Sequence, residues 1–192
     1  GISCLDLDQF KSRKNIMISR SFGNLVNNLT DLEQAVSLYT IKACEKMRLQ
    51  KSRTQAVYIF VRTNRFSRNQ PQYSAGTIFG FNNPCSDTGY IIKKVKESLS
   101  SIFKHGYLYQ QAGVMLMDLV SDRVYQEDLF ENFDYQRSDF RMKALDGINE
   151  RFGPGTLFYA AAGLKKDGDW QSRTHHLSPR YTTKWNELPR AS

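Results

Sequence analysis

Asp6 and Asp8, one residue apart, are the chain's only paired carboxylates beside a strand-like stretch. On a strand both would share a face and could hold a divalent ion. Two-metal hydrolysis needs a further carboxylate from elsewhere, and nothing supplies it. A metal-dependent nuclease using Asp6 and Asp8 is one reading, and a solvated connector is the other. His105, His175 and His176 are the only histidines. His105 is expected in the last turn of a helix, where a cation favours the dipole. The His175-His176 pair has only Ser178 nearby, which does not make a triad. Cys4, Cys44 and Cys85 are odd in number and far apart, with no C-x-x-C, so reduced thiols are expected rather than disulfides or a zinc site. No glycine-rich phosphate loop is present. The expectation is a chain with no catalytic residue, no metal site and no cofactor.

What remains is the chemistry of binding. Gln126-Glu127-Asp128-Leu129-Phe130 ends in two large apolar residues inside the most acidic part of the chain. Residues 121–140 carry six Asp/Glu against two Arg, a local charge of −4 in a protein of net +8. Apolar side chains framed by polar ones dock as short linear motifs into a partner's pocket. The basic side of the balance is equally uneven. Residues 46–86 hold seven Lys/Arg and no acid, interleaved with Tyr58, Phe60, Phe66, Tyr73, Phe79 and Phe81. Basic residues among aromatics, without compensating carboxylates, are the footprint of a nucleic-acid surface; a solvated face beside a sheet is the bland alternative.

The elements that must position these residues are legible in outline. A strand is expected over Asn15–Phe22, closed by Gly23-Asn24. Thr30-Asp31-Leu32-Glu33 has the form of a capping box and opens a helix that fades near Gln50. Gln55–Thr63 alternates as a strand, with Val57, Ile59 and Val61 on one face and Tyr58, Phe60 and Arg62 on the other. A third strand is expected near Tyr73–Phe81, broken by Asn82 through Asp87. A second helix should run to about Lys104 with Gly106 as its terminating glycine, and a last strand should cover Ala112–Val120. The order β-α-β-β-α-β is the split βαβ pattern. The fold class is therefore α+β, a four-stranded antiparallel sheet with two helices on one face, plus a smaller C-terminal extension.

Boundaries follow at 1–13 (a connector), 14–120 (the sheet domain), 121–138 (an acidic linker) and 139–192 (the extension). In the extension, Ser138/Asp139 can cap a helix to about Arg151, Gly153-Pro154-Gly155 ends it, and Thr156–Ala162 has the composition of a strand. The apolar content of 40% suits a globular protein, and no run of eighteen apolar residues spans a membrane. The N-terminus lacks a signal peptide's basic and apolar regions, so a cytoplasmic piece of a larger protein is expected. The topology also admits an RNA-recognition module for single-stranded nucleic acid, but Tyr73-Ser74-Ala75-Gly76-Thr77-Ile78-Phe79 does not fit that family's third-strand motif.

Three passages resemble the UmuC-type polymerase subunits of the Y family of translesion DNA polymerases: Ser19-Arg20-Ser21-Phe22-Gly23, Ala112-Gly113-Val114-Met115-Leu116 and Leu177-Ser178-Pro179-Arg180-Tyr181-Thr182-Thr183. They occur in the family's order, and the resemblance covers the C-terminal half of such a protein. It implies that the β-α-β-β-α-β unit is a little finger, laid along the DNA major groove and used in SOS DNA repair. The catalytic core and its magnesium would belong to the missing half. Phosphate contacts position a protein without reading sequence, and Lys14, Ser19, Arg20, Ser21, Arg62 and Arg65 are the candidates for them. Which parity of the first strand faces DNA stays open, since Ile16, Met17 and Ile18 are apolar on both sides. Residues 126–130 lie where the family carries its sliding-clamp motif, with Leu129 and Phe130 filling the clamp pocket and Gln126 at its rim. Glu127 departs from the family's Leu. The extension resembles the part associated with the UmuD′ dimer and the RecA filament.

Overall fold

The computed structural model describes residues 13–123, 134–163, 170–171, 178–181 and 183–188. Within them the element order is β1 (Ile16–Val26), α1 (Leu29–Leu49), β2 (Ser52–Thr63), β3 (Ser74–Cys85), α2 (Thr88–Ile102), β4 (Tyr109–Ser121) and α3 (Tyr135–Phe152), followed by two single-turn 3-10 helices at Ala160–Ala162 and Trp185–Glu187. The four strands form one antiparallel sheet in the order β1-β4-β2-β3. Parallel β1 and β2 are split by β4, and parallel β3 and β4 are split by β2. Both crossover helices pack on the same face, so the expected α+β architecture is the one observed.

Strand alternation explains which face the helices cover. Val57, Ile59 and Val61 of β2 stand level with Leu116, Val114 and Ala112 of β4, and all six are fully buried. Leu32, Val36 and Met47 of α1 and Ile91, Val95 and Leu99 of α2 close over them at helical spacing. Buried aliphatic side chains of this kind contribute about 1.5–3 kcal/mol each, which makes this layer the main support of the sheet.

Several boundaries differ from the sequence expectation. Asn28, not Thr30, caps α1: its side chain accepts from Asp31 N at 2.8 Å and donates to Asp31 Oδ2 at 2.7 Å. Asn is at least as good a cap as Thr, and Glu33 is drawn instead to Lys96 of α2 at 2.7 Å. β1 continues past Gly23 to Val26, with a register shift after Ser21. β3 runs through Pro84 to Cys85 because a register shift in β2 brings Thr54 opposite Cys85. Pro84 is tolerated there because β3 is an edge strand. α2 ends at Ile102 with Phe103 as its cap, so His105 lies beyond the last turn, its ring 4.8 Å from that of Phe103. Gly106, at φ +85°, belongs to the turn that follows rather than to the helix end.

α3 starts at Tyr135, capped by Asp134, because Ser138 and Asp139 are used to hold the helix to the domain. Ser138 Oγ donates to Asp87 Oδ2 at 2.6 Å, and Arg53 Nη2 meets Asp139 Oδ2 at 2.5 Å. Arg48 makes a two-pronged bond to Asp146, both contacts at 2.7 Å, and also donates to Thr88 Oγ1 at 2.6 Å. Arg141 bonds Asp87 directly. Met142 and Leu145 are the apolar anchors of the same helix. Thr156–Ala162 is not a strand: Thr156 Oγ1 folds back onto Phe152 and Gly153, and the Asn149 side chain takes both backbone groups of Leu157. Trp170 is buried, edge-on to Tyr39 at 6.3 Å, and its carbonyl accepts from Gly23 N at 3.1 Å. No helix among the described residues is long and apolar enough to cross a membrane.

Candidate nucleic-acid interface

Among the described residues, nothing packs on the sheet face opposite the helices. The register sorts that face into three rows that cross all four strands. Met17, Met115, Tyr58 and Ile78 form the first; Ser19, Gly113, Phe60 and Gly76 the second; Ser21, Gln111, Arg62 and Ser74 the third. This settles the parity of β1. Ile16 and Ile18 face the helices, while Met17, Ser19 and Ser21 lie on the open side.

Two glycines shape the surface. A Cβ on Gly113 would lie 2.4 Å from the Phe60 ring, and one on Gly76 would lie 2.5 Å from the Tyr58 hydroxyl. The rings therefore lie down over neighbouring strands rather than standing off the sheet. They are stacked on each other with centroids 5.8 Å apart and an interplanar angle of 25°. A face whose largest side chains lie flat can meet a flat or gently curved partner without ridges.

The third row carries the polar chemistry. The Arg62 guanidinium sits 5.7 Å from the Phe60 ring centroid, and its Nε donates to Gln111 Oε1 at 2.5 Å. Gln111 Nε2 in turn reaches Ser19 Oγ at 3.5 Å. Fixing Arg62 through Nε leaves its two terminal nitrogens without a partner among the described residues. Beside it, Arg62, Thr63, Arg65, Gln72, Tyr73 and Ser74 line a notch of about 350 Å³. Gln72 Nε2 ties the hairpin loop by donating to the carbonyls of Asn64 and Ser67. That loop presents Arg65 and the fully solvated ring of Phe66. Two guanidinium groups beside hydroxyls suit a phosphate oxygen, which Arg binds in a fork.

Of the six residues proposed for phosphate contact, Ser19, Ser21 and Arg62 share the open face, and Arg65 borders it. Lys14 stands at the opposite end of the sheet, where its carbonyl accepts from Leu119 N at 3.0 Å. Arg20 points to the helix side of the edge strand, near Tyr39. Burial pushes the Tyr39 phenol up to about 12, with Arg20 pulling the other way. Gln111 was not among the candidates. The expected last strand began at Ala112, one residue too late to include it, and only the register of β4 with β2 sets Gln111 beside Arg62.

The other residues with chemical potential fall away from this face or outside the described residues. Asp6, Asp8, His175, His176 and Gln126–Phe130 lie outside them. Cys44 and Cys85 are buried, and burial pushes both thiols up to about 12, so neither is a nucleophile near neutral pH. No group of three or more His, Cys, Asp or Glu among the described residues is placed to hold a metal ion.

Comparison with known proteins gives consistent matches along the chain. The impB/mucB/samB family C-terminal domain matches residues 13–129, and a domain of unknown function (DUF4113) matches residues 142–191. The chain is 36% identical over 192 residues to Protein UmuC of Salmonella typhimurium, covering 99% of this chain and 45% of that protein. It is 34% identical to Protein ImpB of Salmonella typhimurium and to Protein MucB of Escherichia coli, covering 100% of this chain and 45% of each relative. The chain thus spans about half the length of the curated relatives it matches. Among solved structures, a complex of the beta-clamp processivity factor with the little finger domain of PolIV is similar with a TM-score of 0.40 and 9% identity, covering 61% of this chain and 99% of that one. A Y-family DNA polymerase chimera of Dbh and Dpo4 is similar with a TM-score of 0.40 and 14% identity, covering 58% and 30%.

Proposed function

Because this chain belongs to the impB/mucB/samB family and spans its C-terminal domain, we propose that it is the non-catalytic region by which an error-prone translesion polymerase grips DNA and joins a sliding clamp. The observation that carries the DNA half is the polar third row of the open face. Ser21, Gln111, Arg62 and Ser74 run across four strands, with a two-arginine notch at their end. Hydroxyls and guanidinium groups in a line suit successive phosphates of a backbone and read no base. A polymerase that must extend past any lesion in any sequence needs that kind of contact.

The test is fluorescence anisotropy of the chain on a primer–template duplex across salt concentrations. Affinity should fall steeply between about 50 and 200 mM salt, with little dependence on sequence. Arg62→Ala should lower affinity on every duplex and reduce the salt slope by about 1. Salt-insensitive affinity, or preference for single-stranded RNA with base selectivity, overturns the reading in favour of an RNA-recognition module.

The clamp half rests on the sequence Gln126-Glu127-Asp128-Leu129-Phe130 between the sheet domain and α3. Leu129 and Phe130 would enter an apolar pocket on the clamp, with Gln126 bonding at the rim and Glu127 weakening the fit. Replacing Leu129 and Phe130 together by Ala should abolish capture of the chain by immobilised clamp while leaving DNA affinity unchanged. Undiminished capture shows the motif to be idle. The family resemblance assigns the extension a UmuD′ dimer and a RecA filament as partners, and the exposed Phe152, Leu157 and Phe158 are surfaces such partners would cover. Catalysis and its magnesium would belong to the part of the polymerase outside this chain.

A further inference from the structure

A second polar site lies far from the open face. Arg48, Lys51, Arg53, Asp122, Arg123 and Lys143 are among the residues that line a pocket of about 490 Å³ where β2 begins, β4 ends and α3 crosses them. Arg48 and Arg53 are bonded to Asp146 and Asp139 and form its floor. Lys51, Arg123 and Lys143 are exposed at its rim with no acidic partner among the described residues. Lys51 is held at φ +55°, a left-handed conformation that a non-glycine residue adopts at some cost, and its carbonyl accepts from Asp122 N at 2.9 Å. Asp122 keeps one carboxylate oxygen, Oδ1, buried with no hydrogen-bond partner.

These features ask for two things in one ligand: an anion for the three rim cations and a hydrogen-bond donor for Asp122. We propose that this pocket binds a nucleotide, its phosphate held by Lys51, Arg123 and Lys143 and a sugar hydroxyl or base amino group donating to Asp122. Sulfate, an anion with no hydrogen-bond donor, satisfies only the first requirement. Leaving a buried acceptor unsatisfied is costly, so the donor is a real element of recognition. The volume is of the size that small-ligand sites occupy. The same chemistry is offered by a free nucleotide and by a nucleotide within a DNA strand passing this end of the sheet. The inference does not depend on the open face or on the clamp motif.

The experiment uses the whole chain and a variant carrying Lys51→Gln, Arg123→Gln and Lys143→Gln. All three side chains are solvent-exposed, and circular dichroism verifies the fold. A control variant carries Lys42→Gln, Lys46→Gln and Lys93→Gln, the same charge removed from exposed helix positions outside the pocket. Calorimetric titration uses dAMP and, separately, sulfate; anisotropy uses the primer–template duplex. For a free nucleotide, dAMP binds saturably and more tightly than sulfate, and binding is lost in the pocket variant but kept in the control. For a DNA strand, the duplex salt slope falls by about 3 in the pocket variant and not in the control. The proposal is overturned if dAMP shows no saturable binding and the two variants lose duplex affinity equally.

Discussion

Gly113 is the residue on which the open face most depends. It sits between Ser19 and Phe60 in the second row, and any Cβ there meets the Phe60 ring at 2.4 Å and Ser19 Cβ at 2.7 Å. Gly113→Ala must lift the ring or move β1. We expect a loss of about 1–3 kcal/mol in denaturant unfolding, as overpacking usually costs. In a Phe60→Leu background the same substitution should cost less, leaving only the contact with Ser19 Cβ; an equal cost in both would mean the ring does not rest on the glycine. The sequence held this residue inside a quoted motif, yet its role could not be read there. A glycine in a strand signals close approach without saying of what, and the ring it accommodates lies on β2, far away in the chain.

At the scale of elements, α3 is held by three ion pairs as well as by Tyr135, Met142 and Leu145, and Asp87 takes two of its residues, Ser138 and Arg141. Burial raises the Asp87 carboxyl, but the Ser138 hydroxyl, Tyr90 N–H and Arg141 guanidinium outweigh it, and the net shift is downward from 3.8. A carboxyl lowered on folding stabilises the folded state above its ordinary value. That contribution is lost as pH falls from 3.8 through the lowered folded value. Wild-type stability should therefore drop on acidification in this window, and Asp87→Asn should flatten the drop. Parallel slopes for the two proteins, followed by urea unfolding from pH 5 downward, would remove Asp87 from this role. The helices and strands were legible because their apolar periods are strong. Their ends were misplaced where a local signal competed with a distant one. Ser138/Asp139 read as a cap because those residues favour caps, but Asp87 and Arg53 claim them. Thr30-Glu33 has the form of a capping box, yet Asn28 reaches Asp31 first. The parity of β1 was unreadable because residues 16–18 are all apolar, and only the register with β4 decides which of them the helices cover.

For the whole molecule, α3 and Trp170 of the extension are built against the sheet domain rather than set apart from it. α3 is bonded at Asp87, Arg48 and Arg53, and Trp170 is packed on Tyr39. Ending the chain after Arg123 strips those partners away and leaves Asp87 and Arg48 without α3. We expect the melting temperature to fall by about 10 °C, from a loss of several kcal/mol. Salt-dependent duplex binding through Arg62 should survive in the truncated protein at lower temperature, since no residue of the open face is removed. A truncated protein that melts with the full chain would show that the extension adds nothing to the domain.

The strand order also governs when this protein can fold. Among the described residues β1 is paired with no strand but β4, so Ile16 waits for Leu116, and β2 likewise lacks its main neighbour until β4 exists. During synthesis β1 and α1 leave the ribosome well before β4, so the pairing edge of β1 stays open until β4 has been made. Such distant pairings make closure slow. The unfinished β1 edge, with Met17 and Ile18 exposed together, is therefore a segment open to a chaperone or to a second nascent chain.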